Sequence, residues 1–273
     1  MTIQNQADAS GLSSCSTYSG SIAIATGTGG EINIPGVQRI TGSLSATNVS
    51  QLTGLSADSL EIIDDSFTLN ECQILSTLNF PRLTQVTEVD WNALAGLQGL
   101  SFTTGLQEVD SLMIQNTQLG TLDGINLQTA ATVTIVNNNY LNDITMQLGN
   151  ISESITLEAN GMNVSANFPN LEWAANVTMR NVSSLNVPSL ASVNGSMGLY
   201  ANFFEAFSAA NLTTVGGTLS FVSNEDLTNI SMPELTTVNG GLPIQNNTQL
   251  EVVHLPSLET VGGALDFYGN FTK

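Results

Sequence analysis

The side chains best suited to chemistry in this sequence are carboxylates in two regions: Asp64, Asp65, Glu88, Asp90, Asp110, Glu225 and Asp226. Two carboxylates at a fixed separation can hydrolyse a glycosidic bond, and several together can bind Ca²⁺. Asp64 and Asp110 fall at equivalent places two repeats apart, or about 10 Å at the usual strand spacing. Elimination chemistry would also need a nearby base, and Arg82 and Arg180 are far apart. We interpret the carboxylates as solvated turn residues, with a Ca²⁺ cluster as the alternative, and predict no catalytic residue and no metal ligand.

One histidine and several aromatic side chains are the other candidates. His254 precedes Leu255-Pro256 and has no His or Cys partner, so we predict a plain turn residue. Aromatic rings can stack on sugars, but Trp91, Phe204 and Phe207 fall in apolar positions of the repeat, which favours core packing. The two explanations, stacking on sugars and packing in the core, apply to these aromatic residues: Trp91, Trp173, Phe203, Phe204, Phe207, Phe267 and Tyr268.

These residues lie in a sequence that repeats every 19 to 23 residues. The template P-x-L-x-x-V-x-G-x-L-x-I-x-x-N-x-x-L is clearest in the last four copies. Its first aliphatic position recurs eleven times, at Val37, Leu60, Leu83, Leu106, Leu127, Leu148, Leu171, Leu190, Leu212, Leu235 and Leu258. Such a period is typical of repeat proteins.

The apolar pattern within each copy predicts a β-solenoid. Pairs such as Leu219 and Phe221 alternate with period two, which indicates a strand with one face inward. A second pair, such as Leu227 and Ile230, follows in the same copy. One coil cannot bury both pairs alone, whereas stacked coils bury them in one continuous core. We therefore predict an all-β, leucine-rich-repeat-like solenoid of about eleven coils.

Two polar or small positions of the template have structural explanations. We expect a ladder of inward amides that satisfy backbone groups at a bend: Asn138, Asn160, Asn202, Asn224, Asn247 and Asn270. Gly195, Gly217, Gly240 and Gly263 mark the bend before the strand, where a positive φ or a close backbone approach is expected.

The outward positions of the strands are rich in hydroxyl groups. They are the pairs Ser43/Ser45, Ser66/Thr68, Thr132/Thr134, Ser154/Thr156, Asn176/Thr178 and Thr218/Ser220. This face predicts a surface for a partner or a neutral glycan. Strand propensity with solubility is the alternative explanation, and the uneven register argues against ice binding.

The charge balance excludes several classes of partner. Lys and Arg total 4, Asp and Glu total 23, and the net charge is −19. Nucleic-acid binding is excluded because almost no cation is available to displace phosphate counterions. Anionic membranes and anionic polysaccharides should be repelled, while neutral glycans and basic partners remain open. The charge could equally serve solubility alone.

The termini and cysteines suggest a secreted chain. Residues 1–36 depart from the template and predict a cap and first coil, with a short helix ending at Cys15, before one continuous repeat domain over 37–273. Cys15 and Cys72 predict a disulfide joining the cap to the stack, with two buried thiols as the alternative. The sequence has no signal peptide, no apolar run of membrane-spanning length and no lipid-anchor signal, so we expect a truncated mature fragment.

Asn-x-Ser/Thr acceptors for N-linked glycans are more frequent than the roughly six that composition alone gives. The ten sites are Asn48, Asn150, Asn163, Asn176, Asn181, Asn194, Asn211, Asn229, Asn246 and Asn270. We expect most to be occupied in a secreted chain, with Asn270 the weakest because it also falls on the ladder.

The sequence CSTYSGSIAI from Cys15 resembles the opening of receptor L-domains. Together with the V-x-G-x-L-x-I repeats, the chain resembles the fungal GPI-anchored cell-wall family related to sporulation-specific wall proteins, from about Gln4 to its end. The resemblance implies a right-handed, L-domain-like solenoid, dense glycosylation, a GPI anchor and a role in cell-wall organisation and integrity. It implies no catalytic residue. The chain departs from the family in lacking a signal peptide, a Ser/Thr-rich tail and a C-terminal Cys.

These observations predict a non-catalytic, extracellular cell-wall or cell-surface glycoprotein that needs no cofactor. Its expected partner is a wall polysaccharide or a surface protein, with no nucleic acid and with membrane attachment only through an anchor absent from this chain. The alternatives are a receptor-like module that binds ligand through the hydroxyl face or the loops after the ladder, and a polysaccharide-active enzyme.

Overall fold

A computed structural model describes residues 1–269, and nearly all of its regular structure is β-strand. Within this range the one helix is α1, Gln6–Ser10, and no helix is long and apolar enough to cross a membrane. The chain divides into two compact units. The first comprises residues 1–130 and 135–141, and the second comprises 131–134 and the residues from Asn142 onward.

The strands of the first unit are mostly short, and the last of them also contributes residues to the second unit. They are β1 Thr2–Ile3, β2 Thr17–Tyr18, β3 Ile22–Ile24, β4 Gly29–Asn33, β5 Arg39–Ile40, β6 Leu44–Thr47, β7 Gln51–Ser56, β8 Ile62–Asn70, β9 Thr77–Asn79, β10 Gln85–Leu94, β11 Leu106–Thr117 and β12 Ile125–Val136.

The second unit continues with strands that recur in the same order in each coil. They are β13 Asp143–Thr145, β14 Asn150–Glu158, β15 Ser165–Asn167, β16 Trp173–Ala174, β17 Val177–Arg180, β18 Ser184–Asn186, β19 Ser192–Val193, β20 Met197–Tyr200, β21 Ala206–Ser208, β22 Thr214–Val215, β23 Leu219–Val222, β24 Asn229–Ser231, β25 Thr237–Val238, β26 Leu242–Asn247, β27 Val252–His254, β28 Thr260–Val261 and β29 Leu265–Gly269.

Each coil is a chain of three strands, and each strand pairs in parallel with its counterpart in the next coil. In the second unit β22 pairs with β25, β23 with β26 and β24 with β27. Opposed residues are one repeat apart, as in Thr214 opposite Thr237, a separation of 23 positions. Because the strands are parallel and in register, equivalent side chains of successive coils form columns.

The core is formed by the inward residues of these strands, as the period-two pattern predicts. Leu219, Phe221, Leu227 and Ile230 of one coil are all fully buried, and burial of each such side chain stabilises by roughly 1.5–3 kcal/mol. Pairs equivalent to Leu219 and Phe221 recur in about twelve coils over the two units, one more than predicted, because the first 36 residues supply Ile22 and Ile24. The predicted β-solenoid is confirmed.

Aromatic rings form part of the core of the first unit. Phe67 packs on Phe80 and on Trp91 with ring centroids 5.0 and 5.6 Å apart, and Trp91 packs edge-on against Phe102 at 5.9 Å. Tilted and edge-to-face pairs of this kind add about 0.5–1.5 kcal/mol each to the burial of area. The core position predicted for Trp91 is confirmed.

The N-terminal helix is shorter than predicted. Asn5 caps α1 by accepting hydrogen bonds from the backbone of Ala7 at 2.9 Å and of Asp8 at 3.3 Å. Gln6 ties the helix to β4 through two bonds with the backbone of Asn33. After Ser10 the chain tightens into successive three-residue turns, so the expected helix to Cys15 was too long.

The Cys15–Cys72 disulfide predicted from the sequence is not present, and both residues are free thiols. Cys15 lies just before β2. Strand β2 pairs with β5, and β5 pairs with the start of β8. Cys72, in contrast, follows the end of β8. Two coil spacings of about 4.8 Å and the length of a nine-residue strand therefore separate them. A disulfide needs Cα atoms less than about 7 Å apart, and the sequence contained no information on which end of the strand each Cys occupied.

The bend glycines are required by close packing between coils. Gly195, Gly217, Gly240 and Gly263 do not adopt positive φ. A Cβ on Gly240 would lie 2.6 Å from the carbonyl carbon of Gly217, and one on Gly263 would lie 2.8 Å from that of Gly240. Of the two reasons offered by the sequence, close backbone approach is correct.

Candidate interaction surfaces

The predicted asparagine ladder is present in the second unit, and its bonds have one repeating geometry. Asn224 donates from Nδ2 to the backbone carbonyl of Leu199 at 3.0 Å, and its Oδ1 accepts the backbone N–H of Asn202 at 2.9 Å. Asn247 repeats both bonds one coil later, to Phe221 and Asn224. Each amide thus satisfies a donor and an acceptor that the bend of the preceding coil leaves unpaired.

The ladder also contains Asn138 and Asn160, which are buried. Asn138, in the first unit, binds the backbone carbonyl of Ile114 and the backbone N–H of Thr117. Asn270 lies outside the described residues. In an earlier coil Cys72 occupies the ladder position, where its Sγ lies 3.5 Å from the carbonyl oxygen of Ala46. Burial raises the pKa of the Cys72 thiol, and nearby backbone hydrogen bonds oppose this in part.

Within the described residues a left-handed residue precedes each ladder position from Asn138 to Asn247, a feature that the sequence pattern did not reveal. Ten non-glycine residues have φ between 49° and 61°, one in each of ten coils: Asn48, Glu71, Ala93, Asn116, Asn137, Ala159, Asn181, Ala201, Ser223 and Asn246. Five of the ten are Asn, the residue that best tolerates this conformation after Gly. The signal was present as a recurrent Asn one place before the ladder, but Glu71, Ala93 and Ala159 concealed it.

A second polar ladder runs along the bend at the other end of the main strands. Asn176 accepts the backbone N–H of Ser196 at 3.1 Å, and Ser196 accepts that of Thr218 at 3.0 Å. Thr218 accepts the backbone N–H of Gly241 at 3.4 Å. Asn176 and Thr218, the first members of two outward pairs predicted as binding groups, therefore hold the backbone of the next coil.

The second member of each pair forms the outward strand face. In the second unit Thr156, Thr178, Gly198 and Ser220 are opposed in one column. The Tyr200 ring lies over Gly198, so close that a Cβ there would be 2.6 Å from its Cζ and hydroxyl oxygen. We refer to Thr178, Arg180, Gly198 and Tyr200 as the tyrosine face.

Electrostatic contacts fix the tyrosine face. The Arg180 guanidinium carbon lies 5.2 Å from the centre of the Tyr200 ring, and Arg180 Nε lies 3.2 Å from Glu158 Oε1. A cation over an aromatic face at this distance is attracted by the ring quadrupole. The half-buried side chains present hydroxyl groups, a guanidinium and an aromatic ring on one flat strand surface.

The corresponding column in the first unit is less uniform. On four successive strands this column consists of Ser45, Thr68, Asp90 and Met113. Glu88 interrupts the neighbouring column between Ser66 and Ser111. The continuous hydroxyl sheet expected from the sequence is therefore not formed in this unit.

The predicted carboxylates are dispersed or already paired. Asp64 binds Arg39 through two hydrogen bonds of 2.8 Å, which raise the pKa of Arg39, and Asp65 accepts a hydrogen bond from Ser43 at 2.9 Å. Asp64 lies on β8 and Asp110 on β11, and β10 pairs with both of these strands, so the two carboxylates are two strands apart. Within residues 1–269 no group of three or more His, Cys, Asp or Glu side chains could hold a metal ion.

The remaining candidates differ in exposure. His254 is exposed at the end of β27, so its assignment to a turn was wrong. Phe204 and Phe207 are buried as predicted, whereas Phe203 is 40% exposed and Phe267 and Tyr268 are also exposed. Trp173 is half-buried in β16. Glu225 and Asp226 are exposed in the loop after the ladder.

The predicted glycan acceptors lie at the surface with two exceptions. Asn181 and Asn229 are half-buried, and Asn270 lies outside the described residues. The exposed acceptors are Asn48, Asn150, Asn163, Asn176, Asn194, Asn211 and Asn246. Occupancy of these sites stays a prediction.

Stacked parallel coils, in which asparagine side chains at one bend bind the backbone of the neighbouring coil, define a β-solenoid repeat protein. The chain is 43% identical over 234 residues to "Protein ecm33" of Aspergillus fumigatus and 43% identical over 235 residues to a "Cell surface GPI-anchored protein" of Arthroderma benhamiae. It is 34% identical over 225 residues to "Cell wall mannoprotein PST1" of Saccharomyces cerevisiae. These fungal cell-wall proteins are homologues of the chain, as the sequence resemblance indicated.

These alignments cover 85%, 86% and 81% of the chain but only 58%, 60% and 50% of the three relatives, so the chain spans little more than half of their length. No family model and no solved structure matches the chain.

Proposed function

We propose that this chain is a non-catalytic, extracellular part of a cell-wall glycoprotein and supports wall organisation by contacting a neutral wall polysaccharide. The names of its relatives, which are cell-wall and GPI-anchored surface proteins, support the location and the role. Attachment of the whole protein to the membrane through a GPI anchor belongs to the same proposal.

The observation that carries the proposed contact is the tyrosine face. Sugars bind proteins through hydrogen bonds to their hydroxyl groups and through apolar contact of the ring with aromatic side chains. Tyr200 supplies a ring and a hydroxyl, Thr178 a hydroxyl and Arg180 a donor, all on one strand face. The net charge of −19 favours a neutral polymer over an acidic one.

The pairing of arginines with carboxylates supports the proposal that the chain is not catalytic. Arg39 and Arg180, the cations best placed to act beside a carboxylate, are each held by one, Asp64 and Glu158. Neither is free to accept a proton, because an arginine side chain stays charged.

The test is co-sedimentation of the secreted, glycosylated chain with insoluble β-glucan and with chitin, with the soluble sugars measured in the same tubes. We expect saturable binding without released sugar. Tyr200→Ala should abolish binding, whereas Tyr140→Ala, which alters a 64% exposed tyrosine in the first unit, should not. Equal binding by the two variants, or no binding, contradicts the proposed contact. Released oligosaccharides contradict a non-catalytic role and make Asp64, Asp90 and Asp110 the first residues to substitute.

A further inference from the structure

A groove of about 330 Å³ opens on the second unit beside the asparagine ladder. Its walls include Asn181, Ala201, Phe203, Ser223, Glu225 and Asp226, which come from three successive coils. The groove is thus formed by left-handed residues and by the residues that follow the ladder. The tyrosine face includes none of these residues.

One wall of the groove is an acceptor for an N-linked glycan. Asn181, Val182 and Ser183 form an Asn-Val-Ser tripeptide, and Asn181 is a left-handed residue with φ of 61°. Its half-buried amide donates from Nδ2 to the backbone carbonyl of Ala201 at 3.3 Å, which fixes the side chain along the groove. An amide that carries a sugar keeps one N–H, so this bond is compatible with glycosylation.

The groove also presents an aromatic ring to solvent. Phe203 is 40% exposed, although its neighbour Phe204 is 3% exposed and packs on Phe207. An exposed ring at the edge of a polar groove is suited to the apolar face of a sugar ring. Glu225 and Asp226 add carboxylates that can accept hydrogen bonds from sugar hydroxyl and acetamido groups.

We propose that Asn181 carries an N-linked glycan and that its core N-acetylglucosamine residues lie in this groove against Phe203. In the modification Nδ2 attacks the anomeric carbon of a lipid-pyrophosphate-linked oligosaccharide. The new N–C bond replaces the bond to the pyrophosphate oxygen, Nδ2 loses one proton and the lipid pyrophosphate leaves. The groove is then filled by the chain's own modification and is not a site for a free ligand.

The chain contains a matched control site. Asn48, Val49 and Ser50 form the same Asn-Val-Ser tripeptide, and Asn48 is also left-handed, with φ of 55°. In the coil after Asn181, the left-handed residue Ala201 is followed by the ladder residue and then by Phe203. In the coil after Asn48, the left-handed residue Glu71 is followed by Cys72 and then by Gln73, so Gln73 has the same position in the repeat as Phe203.

The experiment uses the full chain secreted from a fungal host. Glycopeptide mapping measures occupancy at Asn181 and Asn48, and the folded protein is then digested with an endoglycosidase that cuts between the two core N-acetylglucosamine residues. We expect both sites to be occupied and cleavage at Asn181 to be slower than at Asn48 on the order of fivefold, since an aromatic contact of this kind stabilises by roughly 1 kcal/mol. After denaturation the two rates should be equal.

Two variants separate the groove from general effects. Phe203→Gln should raise the cleavage rate at Asn181 to that at Asn48, and Gln73→Phe should slow cleavage at Asn48. Gln73 and Phe203 are both exposed, and the second variant tests the contact even if the first fails to fold. An unmodified Asn181, or a native cleavage rate at Asn181 equal to that at Asn48 and unchanged by Phe203→Gln, overturns the proposal. Neither result affects the polysaccharide-binding test at Tyr200.

Discussion

At the scale of single residues, the ladder amides matter because of the groups they satisfy. Each bend leaves a backbone N–H and a carbonyl facing the core, and one Asn side chain in the next coil binds both. A buried group without a partner costs about 1–3 kcal/mol, more than a made hydrogen bond contributes. The ladder therefore prevents a loss at each bend of the stack.

Replacement of a ladder residue should be destabilising. Asn224→Leu leaves the carbonyl of Leu199 and the N–H of Asn202 without their side-chain partner. We expect a loss of about 1–3 kcal/mol in the free energy of unfolding, measured by urea denaturation. Asn239→Leu, at an exposed position of the same unit, is the control and should change stability by less than about 0.5 kcal/mol. Equal effects of the two substitutions would remove the ladder as a source of stability.

Position 72 allows the reverse experiment, in which a ladder amide is introduced and not removed. The Sγ of Cys72 lies near the carbonyl of Ala46, the group that a ladder amide in this position would bind. Cys72→Asn should therefore introduce a stronger hydrogen bond and raise stability by about 1 kcal/mol. The melting temperature should rise, whereas Cys72→Leu, which fills the space without a donor, should not raise it. A lower melting temperature for Cys72→Asn would show that the ladder geometry does not extend to this coil.

The Cys72 thiol also predicts a dependence on pH. Burial raises its pKa in the folded chain, so the folded state holds this proton more tightly than the unfolded state does. The contribution of the protonated thiol to the free energy of unfolding is fully present below the pKa of the thiol in the unfolded chain, about 8.5. It is lost as the pH rises through the higher pKa of the thiol in the folded chain. We expect the urea midpoint to fall above about pH 8.5 in the native chain and to fall less in Cys72→Asn. Identical slopes in the two proteins would contradict this assignment.

At the scale of elements, the bend glycines set how closely successive coils approach. The Cβ of an alanine at position 240 would lie 2.6–2.7 Å from backbone atoms of Gly217 and Thr218. Backbone cannot move away without separating two strands that are hydrogen-bonded to each other. Glycine is therefore required at this bend for space and not for conformational freedom.

Gly240→Ala should accordingly cost about 1–3 kcal/mol, the usual effect of overpacking. Gly149→Ala is the matched control in the same unit, because no atom lies within 4 Å of the new methyl group and its φ is not positive. That variant should be neutral or slightly more stable. The measurement is the urea midpoint of each variant, and a neutral result for Gly240→Ala would contradict the close approach of the coils.

Part of this arrangement could be predicted from the sequence. The strand and the ladder were predictable because their residues recur with one period, as in Leu219, Phe221 and Asn224. The tyrosine face was not, because it depends on Tyr200 lying over Gly198, which neither residue type indicates alone. The role of Thr218 was misassigned for the same reason: period two separates inward from outward but does not distinguish a bend from the middle of a strand.

At the scale of the whole molecule, the charge is strongly negative. The net charge is −19, and the three arginines Arg39, Arg82 and Arg180 each lie within 4.0 Å of a carboxylate. Paired cations are poorly available to an external anion. The whole chain should therefore discriminate between wall polymers by their charge.

We expect binding to β-glucan to change by less than about twofold between low salt and 0.5 M NaCl, because a neutral polymer has no charge to be screened. Binding to an acidic polysaccharide such as alginate should be absent at low salt, where repulsion is strongest. Co-sedimentation over a salt series measures both. Saturable binding to alginate at low salt would show a cationic site that the arginine pairs do not indicate.

The parallel register has a mechanical consequence. In the second unit each strand bonds only to its counterparts in the coil before and the coil after, so tension on the last coil loads one row of bonds at a time. Coils then peel off singly, and each frees about 22 residues, or roughly 75 Å of extended chain. A stack of this kind yields in small, repeatable steps under load and can rewind when the load is removed.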